Sequence, residues 1–155
     1  MRSSIIRCMF VFVAALCAAK TLAYGQAAAV LANTGFEEGE TSWAVWGDGD
    51  IKSEYYGVQA HEGKKFLRLW KRSGWYQDFA TQPGNRYSLE AFVNNASKDA
   101  LRGDAFGEFK VEWRSKVEGD VEVGQSTSMK FDMSGTEGTA APADNWTKMA
   151  MPEVK

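Results

Sequence analysis

Apolar and polar side chains alternate along several short segments of the chain. The alternation is clearest at 66–70, 86–94 and 106–115, with apolar series at 67 and 69, at 87, 89, 91 and 93, and at 109, 111 and 113. Shorter or weaker stretches with the same period lie at 43–46, 51–56, 75–81 and 121–133. Because successive side chains of a strand point to opposite faces of a sheet, this pattern predicts half-buried β-strands. Beyond the first 27 residues, no segment carries the 3.6-residue period of an amphipathic helix.

Turn-forming residues separate these segments. Gln-Pro-Gly-Asn at 82–85 has the composition of a turn, and 134–143 is the best candidate for a flexible loop. Many short strands at about ten-residue spacing are typical of all-β domains. The predicted fold class is therefore all-β, an antiparallel β-sandwich or a barrel.

The first 27 residues have the composition of a secretory signal peptide. Arg2 and Arg7 form a short basic start, an apolar run spans 8–19, and small residues follow. The run is too short to span a bilayer comfortably. We predict cleavage after Ala27, with Ala23 as the alternative site, and an uncleaved N-terminal anchor as the other interpretation. The product is expected to be secreted, extracellular or periplasmic, with 28–155 as its single domain.

Charge and cysteine content change once the leader is removed. The full chain carries 18 basic and 20 acidic residues, and residues 1–27 hold three of the basic ones and both cysteines, Cys8 and Cys17. The mature domain therefore has a net charge of −5 and no means of forming a disulfide. An acidic domain without a basic stripe argues against nucleic acid as a partner. No other segment is apolar enough to cross a membrane, so no membrane partner is expected after the leader is removed.

Four short motifs occur in a fixed order along the domain. They are NTGFE at 33–37 followed by Trp43 and Trp46, HEGKKFLRL at 61–69, YQDF at 76–79 and PGNRYSL at 83–89. In this order and spacing the chain resembles the cellulase C-type carbohydrate-binding modules over roughly residues 30–150. The resemblance implies a galactose-binding-like jelly roll, which is an antiparallel β-sandwich, and a non-catalytic role in binding sugar.

The resemblance also implies a further apolar strand after 145–148 that closes the sandwich. Here the chain stops at Lys155. We therefore expect a domain that is missing a closing strand and leaves one sheet edge exposed. A full-length product would then continue beyond Lys155, and a glycoside hydrolase domain is an expected partner within it.

Aromatic residues provide the candidate binding surface. The apolar face of a sugar ring stacks on flat aromatic side chains, while amide and charged groups hydrogen-bond its hydroxyls. Trp70 and Arg68 alternate with Leu67 and Leu69, so they point outward if the leucines point into the core. The predicted sugar contacts are Trp70, Trp75, Tyr76, Gln77 and Arg68, with Tyr56 next.

The alternative for each tryptophan is a place in the core, where buried aromatics dominate. We assign Trp43 and Trp113 to the core. For Trp70 and Trp75 both the core rim and a ligand platform remain open, and the prediction of sugar binding depends on both rings being exposed.

A structural Ca²⁺ is the one cofactor that the resemblance implies. Carried over to this chain, its ligands would be Glu37 and the loop of Glu62 and Gly63, with Lys64 able to contribute only through its backbone carbonyl. Gly-Asp-Gly-Asp at 47–50 is a second acidic loop, and solvated loop acids are the alternative interpretation of both. With one histidine and no mature cysteine, a transition-metal site is not expected.

No catalytic constellation is evident. A hydrolytic triad needs a histidine base, and His61 is the single histidine, with no G-x-S-x-G motif nearby. Nothing in the spacing of the acidic residues marks the carboxylate pair of a glycosidase. The expected function is therefore a secreted, non-catalytic module that binds a polysaccharide or a cell-surface glycan. The alternative is a structural or adhesive surface module, or matrix module, without sugar affinity.

Overall fold

The computed structural model describes residues 4–11, 14–21, 31–81, 84–115, 119–131 and 144–154. The strands are β1 (Ser4–Val11), β2 (Ala14–Thr21), β3 (Ala44–Lys52), β4 (Glu54–Tyr55), β5 (Val58–Gln59), β6 (Phe66–Ala80), β7 (Tyr87–Val93), β8 (Gly107–Ser115), β9 (Val121–Glu122), β10 (Thr127–Phe131) and β11 (Thr147–Val154). One turn of 3-10 helix, Ser97–Asp99, is the only helical element in these ranges, and none of them holds a helix able to span a bilayer. The all-β prediction is confirmed.

Nine strands form one antiparallel sheet in the order β10-β8-β1-β6-β2-β7-β11, with β3 also paired to β6 and β9 to β8. The short strands β4 and β5 form a separate hairpin. The sheet curls, because β10 and β11 stand at opposite ends of this order and yet contact each other. Its two halves therefore enclose one core, in agreement with the predicted antiparallel β-sandwich.

Alternate residues of the long strands supply that core. On β7 the odd-numbered residues are buried and the even-numbered ones are half-buried, as the pattern at 86–94 predicts. On β8 Phe109 and Val111 are buried, and Trp113 packs against the core from its edge. Trp43, also assigned to the core from the sequence, is 7% exposed. Period two thus identified the buried face of β7 and β8 correctly.

A bulge interrupts β6 where the sequence predicts a break between two segments. Trp46 of β3 pairs with Gly74 and Asp48 pairs with Trp70, so the single residue Gly47 faces the three residues 71–73. Gly47 has a φ of +73°, and a Cβ added there would lie 2.6 Å from the carbonyl oxygen of Arg72. Only glycine fits this position, because the backbone is left-handed and a neighbouring strand closes over it.

The bulge explains which residues of β6 face the core. It adds two residues relative to β3, an even number, so the alternation of faces continues unchanged across it. Odd-numbered positions are buried on both sides of it, including Leu69 before and Trp75 after. The stretches at 66–70 and 75–81 are therefore one strand that keeps the same face inward.

Residues of the predicted leader occupy central positions in the sheet. Strand β1 lies between β6 and β8, with Ile5 opposite Ala80 on one side and opposite Arg114 on the other. Strand β2 lies between β6 and β7. The cleavage sites at Ala23 and Ala27, and the predicted loop at 134–143, fall outside the residues that the structure describes. Signal-peptide cleavage stays a prediction.

Candidate functional site

A cavity of about 390 Å³ opens where β6, the hairpin β4–β5 and the segment after β7 meet. Its polar and aromatic lining includes Tyr55, Arg68, Trp70, Lys71, Asn94, Asn95, Asp99, Arg102 and Phe131. The volume is at the small end of the range of about 300–1,000 Å³ that is usual for small-molecule pockets. A mixed lining of rings, amides and charges is suited to a compact polar ligand that also has apolar faces.

Arg68 is fixed in the wall of this cavity between two aromatic rings. Its guanidinium carbon lies 4.3 Å from the ring centroid of Tyr55 and 4.2 Å from that of Trp70. It also donates to both carboxylate oxygens of Asp50, from Nε at 3.0 Å and from Nη2 at 3.3 Å. Cation–π contacts and a two-point ion pair hold the side chain in one conformation. One face of each ring is therefore covered by Arg68, and a ligand can reach only the other face or the edge.

Tyr55 connects the cavity to an exposed ring. Its hydroxyl donates to Asp99 Oδ2 at 2.6 Å, and burial together with this bond raises the pKa of Tyr55 to about 12. Its ring centroid lies 4.4 Å from that of Tyr56, whose side chain is 54% exposed. Lys98 Nζ lies 5.8 Å from the centroid of the Tyr56 ring. Tyr56 therefore extends the aromatic lining outward from the cavity.

Asn94 is the least satisfied polar group in the cavity wall. It is 3% exposed, and within the described ranges neither its amide nitrogen nor its amide oxygen meets a hydrogen-bond partner. Its neighbour Asn95 is structural instead, since its Oδ1 accepts from the backbone N–H of Leu101 at 3.0 Å. Leaving a buried donor and acceptor unpaired costs about 1–3 kcal/mol, so such groups are uncommon in folded proteins. Asn94 is thus a group through which a bound ligand could gain hydrogen bonds.

Of the predicted sugar contacts, Arg68 and Trp70 line this cavity. Both side chains are half-buried on the face opposite Leu67 and Leu69, as the alternation predicted. Tyr56 is exposed and adjoins the cavity through Tyr55. The structure therefore brings three of the six predicted residues to one place.

Trp75 and Gln77 were predicted as sugar contacts, with the core rim as the alternative for Trp75, and the structure buries both side chains. Trp75 is 0% exposed and Gln77 is 7% exposed, because the continuous strand β6 keeps its odd-numbered residues inward. The Gln77 amide joins β6 to the N-terminal segment, donating to Ala32 O at 2.6 Å and accepting from Ala32 N at 3.0 Å. Tyr76 is half-buried on the other face and does not line the cavity.

The residues predicted to hold calcium do come together, through hydrogen bonds. Glu37 Oε1 accepts from the backbone N–H of Lys64 at 2.6 Å and of Lys65 at 3.0 Å, and Lys65 Nζ donates to the carbonyl of Glu37 at 2.9 Å. These backbone donors lower the pKa of Glu37. Gly63 turns the loop with a φ of +68°, and Glu62 is exposed.

This set of donors does not fit a Ca²⁺ ion. Calcium needs six to eight oxygen ligands, whereas the Glu37 carboxylate faces two N–H groups and an ammonium group lies on its carbonyl. Across the described ranges, no group of three or more His, Cys, Asp or Glu residues is arranged to hold a metal. The second predicted acidic loop, 47–50, lies within β3 instead, with Asp48 paired to Lys71 at 2.9 Å.

His61 lies in the bend that precedes β6, away from the cavity. Its ring stacks on Phe92 with the centroids 3.7 Å apart, and it meets Trp146 edge-on at 6.1 Å. These contacts give the ring a packing role in the outer face of β7.

Most of the polar lining residues were not predicted from the sequence, namely Tyr55, Lys71, Asn94, Asn95, Asp99 and Arg102. Most of them lie outside β6, in the β4–β5 hairpin or in the segment after β7, and the fold brings them to Arg68 and Trp70. One signal was available, since Asn94 and Asn95 directly follow an apolar strand at the point where it turns into a loop.

Compared with known proteins, the chain matches no family model, no curated protein and no solved structure.

Proposed function

We propose that this protein is a secreted, non-catalytic carbohydrate-binding module that takes the end of a polysaccharide or a cell-surface glycan into the cavity beside Trp70. The observation that carries the proposal is the buried amide of Asn94, which meets no hydrogen-bond partner among the described residues, in a wall that also holds Trp70 and Tyr55. The small volume favours a chain end over the middle of a long glycan.

Each lining group has a role in sugar recognition. The amide of Asn94 can donate to one hydroxyl and accept from its neighbour, which suits the adjacent hydroxyls of a pyranose ring. The face of Trp70 that Arg68 does not cover stacks on the apolar C–H groups of the sugar ring. Tyr56, exposed at the mouth, stacks against the next sugar unit. Arg68 is a positioning residue, because Asp50 and two rings already satisfy its guanidinium.

The order of the motifs adds support from the sequence. The resemblance to cellulase C-type modules favours a galactose-binding-like jelly roll, and modules of this kind place an attached enzyme near its substrate. In this proposal the partner is a glycan, and a glycoside hydrolase domain belongs to the same product.

Isothermal titration calorimetry tests the proposal directly. The full chain is titrated with soluble glucan, xylan and galactan oligosaccharides, and pull-down assays cover the insoluble polysaccharides. We expect binding to at least one of them, and its loss in Trp70→Ala. The matched control is Trp46→Ala, which also removes a half-buried indole but does not line the cavity. An absence of heat and of pull-down across the whole panel would refute the proposal.

A structural or adhesive module without sugar affinity is the second candidate. The burial of Trp75 and Gln77 supports this candidate, because it removes two of the expected sugar contacts. The position of Arg68 also supports it, because this side chain covers one face of the Trp70 ring and leaves less of it for a sugar. The same titration separates the two functions, since an adhesive module gives no glycan signal with either the wild-type chain or the control.

A further inference from the structure

One wall of the cavity is a loop, residues 94–102, which leaves the end of β7 and carries the buried amide of Asn94. Near the far end of this wall loop, Asp99 accepts the hydroxyl of Tyr55 at 2.6 Å. Its start is bound by Asp144, an exposed residue that precedes β11 and does not line the cavity. Resting on the proposed function, we infer that Asp144 is a positioning residue of the glycan site, which holds the wall loop in place without touching the sugar.

Asp144 binds the wall loop at two points. Its backbone N–H donates to the carbonyl oxygen of Asn95 at 3.1 Å, and its Oδ1 accepts from the backbone N–H of Ser97 at 2.8 Å. Hydrogen bonds from the side chain and the backbone of Ser97 lower the pKa of Asp144, because they favour its charged form. A hydrogen bond to an ionised carboxylate is stronger than one between neutral groups. Asp144 therefore holds the residues that directly follow Asn94.

The carboxylate of Asp144 supplies a cap that the wall loop lacks in its own sequence. Ser97–Asp99 form the turn of 3-10 helix, and the first N–H groups of a helical turn have no partner within it. The residue before this turn is Ala96, whose methyl group cannot accept a hydrogen bond as Ser, Thr, Asp or Asn would at this position. Asp144 reaches the N–H of Ser97 from 47 residues away. The position of the wall thus depends on a residue of a distant segment.

The backbone of Asp144 allows its carboxylate to be removed without strain. Its φ is +60°, in the left-handed region that glycine and asparagine adopt more readily than alanine. Asp144→Gly therefore removes the acceptor for Ser97 and keeps the backbone N–H that donates to Asn95. Asp144→Asn is the conservative variant, because its amide oxygen can still accept from the N–H of Ser97.

Two measurements on the full chain test the role of Asp144. The first is amide hydrogen exchange at Leu101, whose N–H donates to Asn95 Oδ1 within the wall loop. Exchange should be at least about tenfold faster in Asp144→Gly, because the loop opens more often without its charge-assisted hydrogen bond. The second is calorimetry with soluble glucan, xylan and galactan oligosaccharides. The affinity for those that the wild-type chain binds should fall about fivefold, as when the wall is in place in about a fifth of the molecules.

Two further variants separate positioning from a general loss of stability. Asp144→Asn should restore most of the affinity and most of the protection of Leu101. Glu37→Ala is the matched control, because Glu37 is also an exposed carboxylate that accepts backbone N–H groups, but from a loop outside the cavity. It should lower the melting temperature and leave the glycan affinity unchanged.

Unchanged exchange at Leu101 in Asp144→Gly would overturn the inference whether or not a glycan binds. An affinity of Asp144→Gly equal to that of the wild-type chain would also overturn it and leave the proposed function standing. An equal loss of affinity in Glu37→Ala would do the same, since it would show that any loss of stability weakens binding. Binding of no oligosaccharide by the wild-type chain would end the proposed function, and the role of Asp144 with it.

Discussion

Trp70 and Trp75 lie on opposite faces of β6, and their surroundings give them different roles. Trp75 is fully buried, with the ring of Phe36 meeting it edge-on at 6.0 Å. A Cβ on Gly49 would lie 2.9 Å from its indole nitrogen, so a glycine is needed to make room for the ring. Trp70 is half-buried and stacks on Arg68.

Truncating these two tryptophans should therefore have different consequences. Trp75→Ala is expected to lower the free energy of unfolding by about 3–5 kcal/mol, since it opens a large cavity in the core. Trp70→Ala should lower it by on the order of 1 kcal/mol, the scale of one cation–π contact. Urea unfolding followed by circular dichroism measures both values. A loss as large for Trp70→Ala as for Trp75→Ala would show that Trp70 is also a core residue.

Glu37 should make stability depend on pH. Its pKa lies below the ordinary value of 4.5 because the backbone N–H groups of Lys64 and Lys65 bond to its charged form. A lowered pKa stabilises the folded chain above the unfolded pKa, and this contribution is lost as the pH falls through the folded value. We expect Glu37→Gln to melt at a lower temperature than the wild-type chain at pH 7, and the gap to close as the pH falls through the lowered pKa of the folded chain.

Glu38→Gln is the control for this experiment, because the Glu38 side chain is exposed and outside this pair of hydrogen bonds. The same melts test the calcium prediction. Because the donors around Glu37 do not fit the ion, millimolar Ca²⁺ should leave the wild-type melting temperature unchanged. A rise with Ca²⁺ that disappears in Glu37→Gln would restore the calcium site.

At the scale of elements, β7 and β8 were predictable and the course of β6 was not. The alternation of Leu89 and Val93 with polar neighbours is a local property that survives in the folded chain. The bulge at 71–73 depends on Gly47, which lies more than twenty residues earlier in the sequence. Because the sequence does not show the pairing with Gly47, it predicts a break between two strands around Gly74.

The bulge makes a sharp prediction for two glycines with similar backbones. Gly47 has a φ of +73° and Gly39 of +68°, but a Cβ would clash at Gly47 and would meet nothing within 4 Å at Gly39. Gly39→Ala should cost about 1–2 kcal/mol, the price of a left-handed residue with a side chain. Gly47→Ala should cost clearly more, because the collision with Arg72 is added. Equal losses in urea unfolding would contradict this account of the bulge.

At the scale of the whole molecule, the predicted signal-peptide cleavage would remove residues that the structure places inside the sheet. A chain cleaved after Ala27 loses β1 and β2, which separate β6 from β8 and β6 from β7. In the structure 4–11 and 14–21 take up positions inside the sheet. Local composition predicts an apolar leader, but it carries no information on which strands would pair with residues 4–21.

Removing residues 1–27 should therefore expose backbone edges of β6, β7 and β8. We expect the chain of 28–155 to melt at a lower temperature than the full chain and to self-associate, since unpaired edges recruit other strands. Differential scanning calorimetry and analytical ultracentrifugation compare the two chains. A monomer of 28–155 with the same melting temperature would show that β1 and β2 contribute nothing to the fold.

The account as a whole depends on the cavity being a binding site, and Asn94→Leu tests that most directly. Leucine has similar branching but no polar atoms. The variant therefore cannot hydrogen-bond a sugar, and its fold no longer carries the cost of an unpaired buried amide. The measurement is the glycan affinity of the full chain by calorimetry, with its unfolding free energy alongside. We predict a variant that is about 1 kcal/mol more stable and no longer binds the glycan. Unchanged affinity in a folded Asn94→Leu variant would contradict the claim that this cavity recognises sugar.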